Sequence, residues 1–284
     1  MTRDDVGMRL AHACDCHIHI YDDAYPLAPM ATFRPPHAPV DAYCRVQQAL
    51  GLARVVVVQP TGYGFDNRCT LDALAALGPQ ARGVATLPVD VPDAELERLH
   101  AAGIRGVRFM TLSGGVARWD DLERVAARIA PLGWHIDLQL DGRTLPDVEP
   151  MLASLQAPVV IDHTGKYLTP VVPDAPAFVA LRRLLDRGHV WVKLSAPYET
   201  SQSGAPGYDD VARLAAVLAR EHAARCVWGT NWPHPNASPV PDDAHLLGWL
   251  HACAADDAAS RAILVDNPVV LYGFDADAPI GAAT

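Results

Sequence analysis

Apolar residues recur along this chain in eight short runs, and between the runs the pattern turns helical. The runs are Ala13–Ile20, Arg54–Pro60, Arg82–Pro88, Ile104–Met110, Trp134–Leu140, Pro158–His163, His189–Ser195 and Arg225–Asn231. Arg54-Val-Val-Val-Val-Gln-Pro60 is continuous in β-branched residues, as a parallel strand buried on both faces requires. Trp134–Leu140 alternates, so His135, Asp137 and Gln139 share one face. Helices are predicted over 41–51, 68–77, 91–102, about 119–130, 145–155, 176–187, 208–222, 242–254 and 258–265, with Asp41 as the N-cap of the first and Gly51 near its C-cap. Strands recur about every thirty residues, the length of a βα unit. The pattern predicts one (β/α)8 TIM-type barrel spanning 1–284. A doubly wound sheet would need a Gly-rich first turn, and the first run is followed instead by Tyr21-Asp22-Asp23. The Pro-rich stretch Tyr25–Pro39 cannot be helical and is too long for a plain connector, which makes it a lid or a disordered spacer.

Composition narrows the function without naming it. Half of the 284 residues are hydrophobic, enough for a sizeable core. With 33 acidic against 23 basic residues and no Lys/Arg-rich run, nucleic acid and anionic membranes are not expected partners. No apolar leader precedes Asp15 and no run reaches spanning length, so a cytoplasmic location is expected. The six cysteines form no Cys-x-x-Cys pair and read as reduced thiols.

Candidate chemistry begins at Ala13-Cys-Asp-Cys-His-Ile-His-Ile20. In a regular strand Asp15, His17 and His19 fall on one face, opposite Cys14, Cys16, Ile18 and Ile20. Titratable groups clustered this way are costly to bury and favour functional sites. Active sites of TIM barrels lie at the C-terminal strand ends. Those ends carry His17 and His19, Gln59 and Thr61, Arg108, Gln139, His163, Lys193 or Ser195, and Asn231 with His234.

These positions resemble the amidohydrolase superfamily, whose pattern is His-x-His at the first strand, a His at the sixth and an acid at the eighth. Asp15–His19, Gly106–Phe109, Val160–Gly165 and Trp228–Asn236 are similar to motifs of the 2-pyrone-4,6-dicarboxylate lactonase branch. Leu112–Gly115, Asp141-Gly142, His163–Lys166, Tyr198–Ser201 and Gly229–His234 are similar to galactarolactone isomerases. The resemblance runs from Ala13 to Tyr272 and implies a lactone-acting enzyme.

The departures matter as much. Metal-dependent members place a His at the fifth strand and an Asp at the eighth, where this chain has Gln139 and Asn231. An amide is a poor zinc ligand. The resemblance therefore implies no cofactor; the alternative is a zinc on His17, His19 and His163. Nor can an amide deprotonate water. Hydrolysis would then take its base from His163, His19 or His234. Lactone isomerisation, in which a substrate hydroxyl attacks the carbonyl, needs only orientation from Asn231. Expected catalytic residues are His17, His19, His163 and Asn231, with the imidazoles polarising the carbonyl oxygen. Expected substrate-binding residues are Thr61, Arg108, Gln139, Tyr198, Glu199 and His234. Arg108 suits one carboxylate, while Gln139, Asp141 and Glu199 suit sugar hydroxyls. The expectation leans to hydrolysis of a sugar-acid or dicarboxylic-acid lactone over isomerisation, with a non-catalytic sugar-acid-binding barrel as the third reading. The partner is a small molecule, and homo-oligomerisation is left open.

Overall fold

The computed structural model describes residues 12–275, so the outer ends of the expected 1–284 domain lie outside the described residues. Eight parallel strands, β1 (Cys14–Ile18), β2 (Arg54–Val58), β3 (Ala81–Ala85), β4 (Ile104–Met110), β5 (His135–Gln139), β6 (Val159–Ile161), β7 (Val190–Ser195) and β8 (Cys226–Gly229), pair in sequential order. A parallel bridge between Ile18 and Trp232 closes the circle. Helices alternate with the strands, as the expected βα spacing requires. Among the described residues no helix is long and apolar enough to cross a membrane.

Strand alternation sorts the side chains into two cores. Val55, Val57, Ile136, Leu138, Val159, Ile161, Val190, Val192, Leu194 and Trp228 face the helices in one cluster. Cys14, Cys16, Val56, Val58, Val84, Val160, Trp191 and Val227 form a second cluster with Leu271, Tyr272 and Phe274. The barrel interior is thus apolar at its base, where the C-terminal segment plugs it. One level up on the same strand faces stand Asp137, Asp162 and Lys193, all buried. Polarity rises towards the C-terminal mouth.

The first strand corrects the expected face. Asp15 pairs with Val55, yet Ile18 pairs with Val57, so β1 holds one residue more than its partner. This bulge changes the parity of the strand. Asp15 points out between barrel and helices, where it accepts from Thr230 N (2.9 Å), Thr230 Oγ1 (2.7 Å), His17 N (3.2 Å) and Tyr43 Oη (3.3 Å). His17 and His19 point inward. Gly229 makes the bulge possible, since a Cβ there would lie 2.6 Å from His17 N and 2.7 Å from His17 Cβ.

Other differences are local. The first helix, Val40–Leu50, is preceded by Pro39, and Asp41 lies within its first turn instead of capping it. Gly51 closes it at φ 68°, as expected of a C-terminal glycine. The last predicted helix is a short helix, Asp257–Arg261, that widens into a π-helix, Ala262–Asp266, and continues as Asn267–Tyr272. The helical stretch thus runs past the expected end at 265, and Pro268 is tolerated at the start of Asn267–Tyr272.

Candidate active site

A cavity of about 190 Å³ opens at the C-terminal mouth. Its polar lining includes His19, Thr61, Arg108, Gln139, His163, Lys166, Glu199 and Asn231. Seven of these were expected from the sequence, and the fold brings them together. Tyr21, Thr32 and Phe33 add a wall, so part of the Pro-rich stretch borders the site. A cavity below the roughly 300–1,000 Å³ of drug-sized sites suits one small ring.

His17, Tyr198 and His234 do not line it. His17 lies beneath, with its Nε2 3.3 Å from His19 Nε2 and its Nδ1 3.0 Å from Lys193 Nζ. A partner settles the His19 tautomer. His19 Nδ1 lies 2.8 Å from the Val58 carbonyl, which only accepts, so Nδ1 carries the proton. Neutral His19 then presents Nε2 as an acceptor to His17 Nε2, while His17 Nδ1 faces both the Lys193 ammonium, a donor, and Asp162 Oδ1 at 3.3 Å, an acceptor. Burial keeps both rings neutral: it lowers His19 to about 3 and His17 well below its ordinary value. His19 therefore has both nitrogens engaged.

Below this wire Lys193 pairs with Asp137 and, at 3.1 Å, with Asp162 Oδ1. Lys193 holds the Asp162 carboxyl well below the carboxylate range, while burial and Asp162 push Asp137 up to about 7. Sequence reading left Lys193 undecided and did not join it to Asp137 and Asp162. Their shared inward face was legible, but their meeting across three strands was not.

Asn231 is held from behind. Its Nδ2 donates to Glu199 Oε1 (3.0 Å) and Tyr198 Oη (2.9 Å). Tyr198 Oη lies 3.0 Å from His234 Nδ1, and His234 Nε2 lies 2.9 Å from Asp243 Oδ1. Against the cost of burial, the Lys166 ammonium and the Asn231 amide hold Glu199 below its ordinary range, so it stays ionised. An ionised carboxylate accepts only, which fixes the amide orientation. Asn231 Oδ1 is buried and unpaired beside the cavity. Tyr198 and His234, expected to bind substrate, stand behind Asn231 instead of in the cavity lining.

The sixth-strand tip is the least regular part. His163, Thr164, Gly165 and Lys166 all have positive φ, at 53°, 56°, 89° and 43°. Left-handed backbone costs roughly 1–2 kcal/mol for each non-glycine residue, and such strain clusters at functional sites. The turn sets His163 Nδ1 2.9 Å from Ser195 Oγ, leaving Nε2 for a ligand. It also brings Lys166 to Glu199, a pairing that sequence reading missed. The signal was a Lys three residues past His163, but nothing in the spacing shows a left-handed turn. Opposite, Arg108 donates to Gln59 O (3.0 Å) and Gln139 Oε1 (2.7 Å), while its buried Nε has no partner.

The donor set fits a metal poorly. His17, Asp162 and His163 form a group of three described residues close enough to share an ion; His19 is outside that group, though its Nε2 lies 3.3 Å from His17 Nε2. The Lys193 ammonium already lies against His17 Nδ1 and Asp162 Oδ1. A dication would have to displace it or sit beside it.

Known proteins give the same frame. Residues 14–274 match the Amidohydro_2 family, described as Amidohydrolase. The chain is 37% identical over 270 residues to D-galactarolactone isomerase of Agrobacterium fabrum, covering 92% of this chain and 90% of that protein. It is 36% identical over 275 residues to a 2-pyrone-4,6-dicarboxylate hydrolase of Comamonas testosteroni, with the same coverage. An apo crystal structure from Agrobacterium tumefaciens superposes with a TM-score of 0.88 at 36% identity, covering 93% of this chain and 96% of that one. With its eight-stranded barrel and this match along nearly its whole length, the chain belongs to the amidohydrolase family.

Proposed function

We propose that the protein is a lactone-acting enzyme that hydrolyses the cyclic ester of a small, anionic, hydroxylated lactone without a metal. The observation that carries this is that one small cavity is lined by both Arg108, whose buried Nε lacks an acceptor, and Asn231, whose buried Oδ1 lacks a donor. A sugar-acid lactone supplies a carboxylate for the first, and the attacking O–H satisfies the second. With Ser195 donating to Nδ1, His163 presents Nε2–H to the lactone carbonyl oxygen. The lactone relatives support the same substrate class.

Asn231 also favours a second reading. Oriented as it is, it can hold a substrate hydroxyl as well as water, and a hydroxyl attacking its own lactone carbonyl gives a ring-shifted isomer. Turnover of a lactone panel in ¹⁸O-water, followed by NMR and mass spectrometry, tests both. Labelled open acid supports hydrolysis, and unlabelled ring-shifted lactone replaces it with isomerisation. A panel bound but never converted would make the protein a sugar-acid-binding barrel. His163→Ala should lower turnover at least about 100-fold. Activity should survive dialysis against a strong chelator, because Lys193 already supplies the positive charge at His17 and Asp162. A stoichiometric zinc whose removal abolishes turnover would refute that part.

A further inference from the structure

Asn231 leaves the eighth strand without a base, and the structure brings another carboxylate to the same corner. Glu199 ends the short turn Pro197–Glu199 after β7 and lines the cavity. Its Oε1 is 3.0 Å from Asn231 Nδ2, on the amide whose oxygen lacks a donor. The imidazoles are poorer candidates. His234 has Tyr198 and Asp243 on its two nitrogens. His19 has Val58 and His17 on its own. His163 is needed as a donor, with Ser195 Oγ 2.9 Å from its Nδ1.

We propose, resting on the lactone reading above, that Glu199 is the general base of the reaction and that Lys166 is its positioning residue. The attacking oxygen bonds to the lactone carbonyl carbon as its proton passes to Glu199. The ring C–O bond then breaks, and the departing alkoxide takes that proton back, so Glu199 ends the cycle ionised. The same step serves water and an internal hydroxyl. Lys166 holds one carboxylate oxygen and Asn231 the other, which fixes the direction of attack. Its charge, with that of the neighbouring groups, sets where Glu199 titrates. Those groups are His163 on the β6 turn, Tyr198 beside it and Tyr21 across the cavity.

The test uses wild type, Glu199→Gln, Glu199→Ala and Lys166→Gln with the 1,4-lactone of a six-carbon aldaric acid, read by NMR from pH 4 to 9. General base catalysis contributes about 10²–10⁴-fold. Glu199→Gln should lose at least about 100-fold in kcat with KM within about threefold. Added formate should restore part of the Glu199→Ala rate in proportion to its concentration, which a structural role would not produce. Lys166→Gln should remain active, with the acid limb of kcat/KM moved to higher pH. A wild type that converts no lactone overturns the lactone reading and this proposal with it. An active wild type whose Glu199→Gln keeps kcat within a few-fold, a Glu199→Ala that formate does not rescue, or an unmoved acid limb in Lys166→Gln overturns this proposal alone.

Discussion

Two lysine–carboxylate groups lie near each other in the barrel and work under opposite conditions. Lys193, Asp137 and Asp162 are completely buried above the apolar base. Lys166 and Glu199 keep 12% and 19% of their side chains exposed, inside the cavity. In the first group the charges have no water to fall back on, and each depends on the others. In the second, water can replace either partner, so the pair is free to exchange and to take part in chemistry. Depth, not composition, separates a charge cluster sealed inside the barrel from one open to the cavity.

Breaking the buried group should have the largest effect. Lys193→Met leaves two buried carboxylates without a counter-charge and should cost about 3–5 kcal/mol in urea unfolding. Lys166→Met should cost about 1 kcal/mol or less. Equal losses would erase the distinction. Next comes the outward strut under the first strand. Asp15→Ala removes the acceptor for Thr230 N and Thr230 Oγ1 and should cost about 1–3 kcal/mol. It should also lower turnover, because Asn231 follows Thr230 directly and donates its own N–H to His17 O at 2.8 Å. An unchanged melting curve would show that the β1–β8 seam holds without the carboxylate.

A pH series sharpens the contrast further. Burial lowers His19 to about 3 in the fold, and the unfolded chain protonates it near 6.5. Between those values the unfolded state binds more protons, so this contribution is present above pH 6.5 and lost as pH falls towards 3. Asp15, raised to about 7 by burial, works the other way: its contribution is present at low pH and lost as pH rises towards 7. Comparing urea midpoints at pH 7 and pH 4.5 isolates the histidine, since His19→Gln should lose less stability over that interval than wild type. Parallel losses would show that His19 is not the neutral buried group described. A small effect belongs to Tyr198→Phe, which removes the hydroxyl that accepts from Asn231 Nδ2 and lies against His234 Nδ1 and should cost about 0.5–1.5 kcal/mol.

The sequence by itself determined the barrel and most of its mouth. Alternation and βα spacing are local properties, and an inward position near a strand end points to the site whatever its neighbours are. His19, Arg108, Gln139, His163 and Asn231 were legible for that reason. Tertiary structure decided the rest, because it depends on atoms far apart in the chain. The β1 bulge turned Asp15 away from His17 because Gly229 on β8 leaves room for it. The left-handed turn at 163–166 carried Lys166 to Glu199, 33 residues on. Lys193 met Asp137, Asp162 and His17 only once four strands closed around it. A hydrophobic pattern records which way a side chain faces, but its ionisation and its use follow from the partners that closure places around it.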